Sequence, residues 1–552
     1  MLTPATFRHI LNVDTDNMTN IGQAYKQSSL SDTWDAIVIG SGIGGLTAAA
    51  LLARHAGRRV LVLERHYTAG GFTHTFHRPG YEWDVGVHYI GQVKDSRSPV
   101  RAAFDHLTGG RLEWNPMPDV YDRIVIGDQS YDFPTGVGRF RERMNTYFPR
   151  ESAAIDRYIE MVIAASRASN WFFAEKALPR PAAWLAGSLL RKRFLRYAAQ
   201  STAAVLESLT HNRDLIGVLT GQWGDYGLPP SQSSFGMHAL IAQHYFDGAS
   251  YPVGGASQIA AGIVPQIESA GGRVIVSADV AQILTTASRE ASGVRMADGR
   301  EFRAKTIISD AGAMNTFARL LAPELADGLG VLEPLRKIPP SMAHLSLYVG
   351  LRNAPETGAT NLWIYPTSDH DGNVARFSAD ATAPLPVVFI SFPSAKDPTF
   401  ATRYPERSSI EVIAPVPYGW FDRWADTRWK KRGPEYNELK QSLAQRLREE
   451  LERHVPAVRG HIDCAELSTP LTTRHFANYA HGEIYGLSVV PERFRLASLG
   501  ARTPLRNLFL TGADAATPGV TGALFGGVIA ASTILGRNLM SAVTRPWLAR
   551  AA

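Results

Sequence analysis

The segment Asp35-Ala-Ile-Val-Ile-Gly40-Ser-Gly42-Ile-Gly44-Gly45 constrains this chain more than any other stretch of it. An apolar run, 36–39, reads as a buried strand and passes directly into Gly40-x-Gly42-x-x-Gly45. A helix-forming stretch, 46–55, follows, and a second apolar run, Val60-Leu-Val-Leu, ends on Glu64, nineteen residues beyond Gly45. That order is a dinucleotide-binding βαβ unit. Gly40 permits the tight turn, Gly42 lets backbone approach a pyrophosphate, and Gly45 lets the helix pack on the strand. Free amides and the positive dipole end at the helix start suit phosphate, and Glu64 is placed to accept hydrogen bonds from ribose hydroxyls. Glycines alone would be weak evidence; strand, helix and acid in register are strong evidence.

The totals narrow the rest. At 552 residues the chain has room for two or three domains of roughly 100–200 residues each. With 45% hydrophobic and 20% charged residues it carries an ordinary globular core. The net charge of +6 is modest, and no basic run is interleaved with stacking aromatics, so no nucleic-acid partner is expected. An anionic lipid surface remains compatible with that charge. The single cysteine, Cys464, builds neither an intrachain disulfide nor a cysteine zinc cluster. Sixteen histidines show no His-Glu-x-x-His spacing, so no metal is expected. Residues 1–30 carry no secretory pattern, which points to a cytoplasmic protein, at most peripheral on the inner face of the membrane.

The chain divides into an N-terminal arm (1–31), three nucleotide-fold pieces (32–91, 251–314, 501–552) and two insertions (92–250, 315–500). In the second piece a helix carrying Ile259, Ile263 and Ile267 precedes a strand, a hairpin turning at Asp298-Gly299 and a further strand. The third runs strand, glycine turn, apolar helix. The expected fold class is α/β: a discontinuous Rossmann-type domain with an inserted α+β substrate domain, which holds an antiparallel sheet and a helical, membrane-contacting part. Runs 344–351, 387–392 and 410–416 read as its strands, interrupted by a charged helix at 436–454.

Two stretches bear on membranes. Residues 171–199 mix aromatic and aliphatic side chains with Arg191, Lys192, Arg193 and Arg196, which suits an interfacial helix and equally an ordinary helix pair capping the substrate domain. Residues 520–535 are uncharged but shorter than the ~20 residues of a spanning helix, and their glycines fit a buried helix better.

After Glu64 and Arg65 the doublet Gly70-Gly71 offers backbone free of side chains, suited to pass close to a flat ring system. Downstream, Leu508-Phe-Leu-Thr-Gly512-Ala-Asp514 leads through Gly519 and Val520 into the last helix and repeats the logic of the first motif. Flavoproteins with two dinucleotide-binding pieces use such a segment to hold FAD, and a helix dipole there favours the anionic reduced flavin.

These segments, with Asp84-Val-Gly-Val-His88-Tyr-Ile-Gly91 and the stretch 468–486, resemble the carotenoid and retinoid flavin oxidoreductases, a superfamily of phytoene desaturases, carotenoid isomerases and retinol saturases. The stretch 468–486 looks most like the saturase and isomerase branches. The resemblance implies FAD as cofactor. It places Gly40, Gly42, Gly44 and Gly45 at the pyrophosphate, Glu64 with Arg65 at the adenosine ribose, and the Val280 backbone at the adenine. Asp514, with Gly512, Gly519 and Val520, falls at the pyrophosphate–ribityl region, and Gly70 and Gly71 along the isoalloxazine.

The function expected is reduction or desaturation of a carbon–carbon bond in an apolar polyene or isoprenoid-type lipid. Reduction needs a hydride and a separately supplied proton; His88 and Tyr485 are the candidate catalytic groups. The alternatives are redox-neutral cis-trans isomerisation, a flavin-binding protein without turnover, and amine oxidation on the same architecture. No second Gly-x-Gly-x-x-Gly follows a strand, so a separate electron donor or acceptor is expected.

Overall fold

The computed structural model describes residues 20–178 and 180–545. Its centre is a six-stranded parallel sheet in the order Gln23–Ala24, Arg273–Val276, Val60–Leu63, Ala36–Ile39, Ile307–Ser309, Leu508–Leu510. Parallel strands covered on both faces are continuous apolar runs because successive side chains enter two different cores. Ala36, Val38, Val60 and Val62 pack under helices Ile43–Ala56, Ser257–Glu268 and Val520–Leu535. Ile37, Ile39, Leu61 and Leu63 face the other way, onto the hairpin strands Val280–Thr285, Ala291–Met296 and Glu301–Ala304. The sequence expectation of a discontinuous α/β fold holds. The expected N-terminal arm falls mostly outside the described residues, but Gln23–Ala24 is no loose arm: it forms the edge strand of the sheet.

The insertions share a second sheet of seven strands, ordered Gln129–Pro134, Val120–Ile126, Asn361–Tyr365, Val388–Ser391, Arg407–Val416, Ala343–Arg352, Ile462–Ser468. All its junctions are antiparallel except one: Val120–Ile126 runs parallel to Asn361–Tyr365. The expected antiparallel sheet of the substrate domain carries this one parallel junction because a strand from the first insertion enters beside one from the second. Period-two alternation again splits the faces. Leu345, Ile364, Val388 and Val412 pack under helix Pro434–His454 through its Leu443, Leu447 and Leu451. His344, Trp363, Phe389 and Ile413 face a cavity whose opposite wall is helical. That wall includes Phe235–Tyr245 and the long helix Ser152–Lys176, which forms a hairpin with Arg180–Ala198. Among the described residues no helix is long and apolar enough to cross a membrane.

Candidate active site

A single cavity of about 4000 Å³ begins at the carboxyl ends of the parallel strands, where ligands bind in open α/β sheets. Gly40, Gly42 and Gly44 from the first turn, Gly70 and Gly71 from the loop after Glu64, and Gly512, Gly519 and Val520 from the last segment line it. Backbone contact explains the glycines. A Cβ on Gly44 would stand 2.5 Å from the Cα of Gly512, and one on Gly71 would stand 2.9 Å from the Cα of Gly42. Neither distance is tolerable, so three segments remote in sequence close on each other only because these positions lack side chains. Gly45 stays behind the wall, where a Cβ would meet the Gly40 carbonyl oxygen at 2.5 Å.

Glu64 is buried, its Oε2 accepting from the amide and hydroxyl of Ser41 and its Oε1 from the His66 amide, each at 2.8 Å. A carboxylate has about four acceptor sites, so one stays open toward the cavity that Glu64 lines. Arg65 donates to the His475 carbonyl at 2.6 Å and lies 3.4 Å from Asp279, tying the wall beside Glu64 to the helix Pro470–Ala477. Val280 lines the same cavity. Asp514 does not line the cavity. Its oxygens accept from the amides of Ala313 (2.8 Å) and Leu487 (3.0 Å), and Arg493 stands 3.6 Å away, so it joins three segments behind the wall.

The acid that does face the cradle is Asp310, which sequence reading missed. Burial, reinforced by Glu64 and Asp514, pushes its carboxyl up to about 8 against the pull of the Gly42 and Gly45 amides. A neutral acid there spares a bound pyrophosphate a like charge. The signal that could have found it is positional: Asp310 ends the strand neighbouring Ala36–Ile39.

The other arm of the cavity runs between the mixed sheet and the helices. Trp363, Val387, Phe389, Ile413, Leu240 and Ile241 line it. His88 reaches it beside Phe389, ring centroids 5.3 Å apart. Its Nδ1 lies 2.7 Å from Glu411 Oε2 but off the hydrogen-bond direction. Glu411 belongs to a buried cluster that sequence reading did not find. The Asp84 amide donates to Glu411 at 2.7 Å, Tyr251 donates to Asp84 at 2.5 Å, and Lys396 donates to the His88 carbonyl, Asn361 and Ser391. Burial, with Lys396 nearby, holds the His88 imidazole down to about 3. That shift favours the neutral imidazole. Tyr485 also lines this arm; its hydroxyl donates to the Gly224 carbonyl at 3.2 Å, and burial beside Asp225 keeps the phenol protonated.

The cavity also meets one face of the helix Ser152–Lys176, through Ser166, Ser169, Asn170, Phe173 and Ala174, spaced as one helical stripe. The outside of this hairpin carries three of the four large hydrophobic residues that are exposed among the described residues: Trp171 (52%), Leu185 (74%) and Leu189 (69%).

Comparison with known proteins agrees with this geometry. The family model for flavin containing amine oxidoreductases matches residues 43–535. All-trans-retinol 13,14-reductase of Danio rerio is 37% identical over 538 residues, covering 94% of this chain and 88% of that protein. Prolycopene isomerase 1 of an Oncidium hybrid cultivar is 28% identical, covering 91% and 84%. Cyclohexylamine oxidase from Brevibacterium oxydans superposes with a TM-score of 0.55 at 16% identity, over 93% of this chain and 98% of that one. The chain belongs to the flavin containing amine oxidoreductase family, and it is an FAD-dependent oxidoreductase. The glycine cradle fits that cofactor: side-chain-free backbone and the starts of helices Ile43–Ala56 and Val520–Leu535 border the cavity, with the open acceptor of Glu64 at one end.

Proposed function

We propose that this protein reduces a carbon–carbon double bond of an apolar, retinoid-like polyene taken from a membrane surface. The observation that carries the reading is one cavity bordered by the flavin cradle, by aromatic and aliphatic side chains of the mixed sheet, and by the helix that bears exposed Trp171. Such a cavity removes a conjugated chain from water and lays it across the cofactor end. FAD would be held by the glycine cradle, Glu64, Arg65 and Val280, and in its reduced form it supplies hydride. The chain's own residues orient and dry the substrate. Phe389 and Trp363 flank it, neutral His88 offers a hydrogen bond to a polar end group, and Tyr485 closes the wall at Gly224. Cations Arg191, Lys192, Arg193 and Arg196 on the hairpin match anionic headgroups, so peripheral membrane contact goes with this reading. A separate electron donor restores the reduced flavin.

The likeness to prolycopene isomerase favours one second reading, isomerisation without net reduction. One experiment separates them: dithionite-reduced holoprotein incubated anaerobically with retinoids and carotenoids, with products weighed by mass spectrometry. A gain of two hydrogens supports reduction. Unchanged mass with altered retention supports isomerisation, and no conversion of any polyene removes both.

A further inference from the structure

Building on that reading, we propose that Asp225 is the acid that protonates the substrate, held in that state by Tyr89 and Asp122. The turn Trp223–Asp225 brings Asp225 to the cavity wall next to Gly224, the residue whose carbonyl anchors Tyr485. Behind it, Asp122 is fully buried and accepts four hydrogen bonds: from Gln222 (2.7 Å), Tyr89 (2.8 Å), Asn361 (2.9 Å) and Trp363 (3.2 Å). Three of these donors reach Oδ2 and one reaches Oδ1, and each favours the ionised form of a group that then only accepts. Burial raises the Asp122 carboxyl as it does Asp225, but four donors at Asp122 against one at Asp225 make Asp122 the better-held anion of the two.

The placement of the second proton follows from counting hydrogens. Tyr89 has one phenolic hydrogen, and the shorter contact directs it to Asp122. Its oxygen is then the acceptor in the 3.1 Å contact with Asp225 Oδ2, so the hydrogen between them belongs to Asp225. Among the described residues no other group is hydrogen-bonded to the Asp225 side chain. Burial and the charge of Asp122 likewise hold Asp225 well above the carboxylate range. Two acids whose surroundings drive their protonation apart are a pattern of acid–base sites. Asp122, sealed away, holds the charge; Asp225, facing the cavity, holds the proton.

In the step, the alkene π bond breaks. One carbon receives hydride from the reduced cofactor and the other receives the Asp225 proton. Two C–H bonds form, the carboxyl O–H bond breaks to leave a carboxylate, and the cofactor is oxidised by two electrons. A solvent proton restores Asp225 after the product leaves.

The test compares wild-type and Asp225→Asn holoprotein in anaerobic stopped flow. Bleaching of the flavin by dithionite should match wild type, because the amide keeps the contact with Tyr89. Flavin reoxidation by the polyene should slow by at least ~100-fold, the usual worth of a general acid. Reoxidation at the wild-type rate overturns the proposal. Infrared difference spectra of the two oxidised proteins at neutral pH should show a neutral-carboxyl stretch in wild type that the variant lacks; its absence from wild type also overturns the proposal. Should Asp225→Asn fail to hold flavin, Tyr89→Phe takes its place in stopped flow, and an unslowed reoxidation there sinks the idea. If wild-type flavin is not reoxidised by any polyene, the functional reading fails, and the infrared band still decides where the proton sits.

Discussion

The cofactor end and the substrate arm of this molecule are built from opposite materials. The cradle is backbone: Gly42, Gly44, Gly71 and Gly512 bring chain segments within distances no side chain allows, and the carboxyl groups that border it are Glu64 and Asp310. The substrate arm is side chain: aromatic and aliphatic groups from strands and helices far apart in sequence, with Asp84, Glu411, Lys396 and Asp122 sealed behind them and Asp225 reaching the cavity wall. A diphosphate needs donors at fixed spacing, which one short motif supplies. A polyene needs only shaped apolar volume, which many residue sets supply. The first demand leaves a local sequence signature and the second does not.

Substitutions at the two ends should therefore fail differently. Gly44→Val drives side-chain atoms into Gly512, and overpacking of this kind costs about 1–3 kcal/mol or more. Because the cost falls on the cradle itself, the protein should purify without bound flavin, as read from its visible absorbance. A variant that keeps full flavin content would break the contrast. Lys396→Met leaves the buried His88 carbonyl, Asn361 and Ser391 acceptors without their donor, and should lower stability by about 1–3 kcal/mol. Denaturant unfolding monitored at the flavin and at tryptophan should show that loss.

Smaller effects belong to the outer surface and to His88. Trp171→Glu with Leu189→Glu removes two exposed apolar groups, each worth about 1.5–3 kcal/mol when buried in acyl chains. Co-sedimentation with anionic liposomes should fall while flavin content and turnover of detergent-dispersed substrate persist; unchanged liposome binding removes the hairpin from the membrane reading. His88→Gln forfeits a neutral hydrogen bond of about 0.5–1.5 kcal/mol, so turnover should drop about tenfold or less. Burial holds the imidazole down to about 3, against an ordinary value of 6.5, and so favours its neutral form. The wild-type rate should accordingly show no inflection near pH 6.5 that His88→Gln abolishes, and such an inflection would return His88 to the role of proton donor.

The nucleotide-fold half was legible in advance because each of its decisions is local. Residues 36–64 write strand, turn, helix, strand and acid in the order in which they are used, and Leu508–Leu510 with Gly512 repeats the device. Asp514 shows the limit of such reading: its place after the glycine turn made it look like a cofactor ligand, yet the fold turns it to Ala313 and Leu487. Asp310 lacked any glycine signature and was passed over, although it ends a strand adjacent to the first. The polar groups of the substrate arm were the least visible. Asp122 meets Asn361 and Trp363 from the other insertion through the one parallel junction of the mixed sheet.

By itself, the sequence determined that the chain would close around a dinucleotide, because phosphate recognition at a helix start demands glycines at fixed offsets on one continuous stretch. Only the tertiary structure decided which carboxyl groups face the cavity and which are sealed, since burial and hydrogen-bond donors reach those groups from residues hundreds of positions away. Charge state in a protein interior is a property of the surroundings, and those surroundings exist only once the two insertions have packed together.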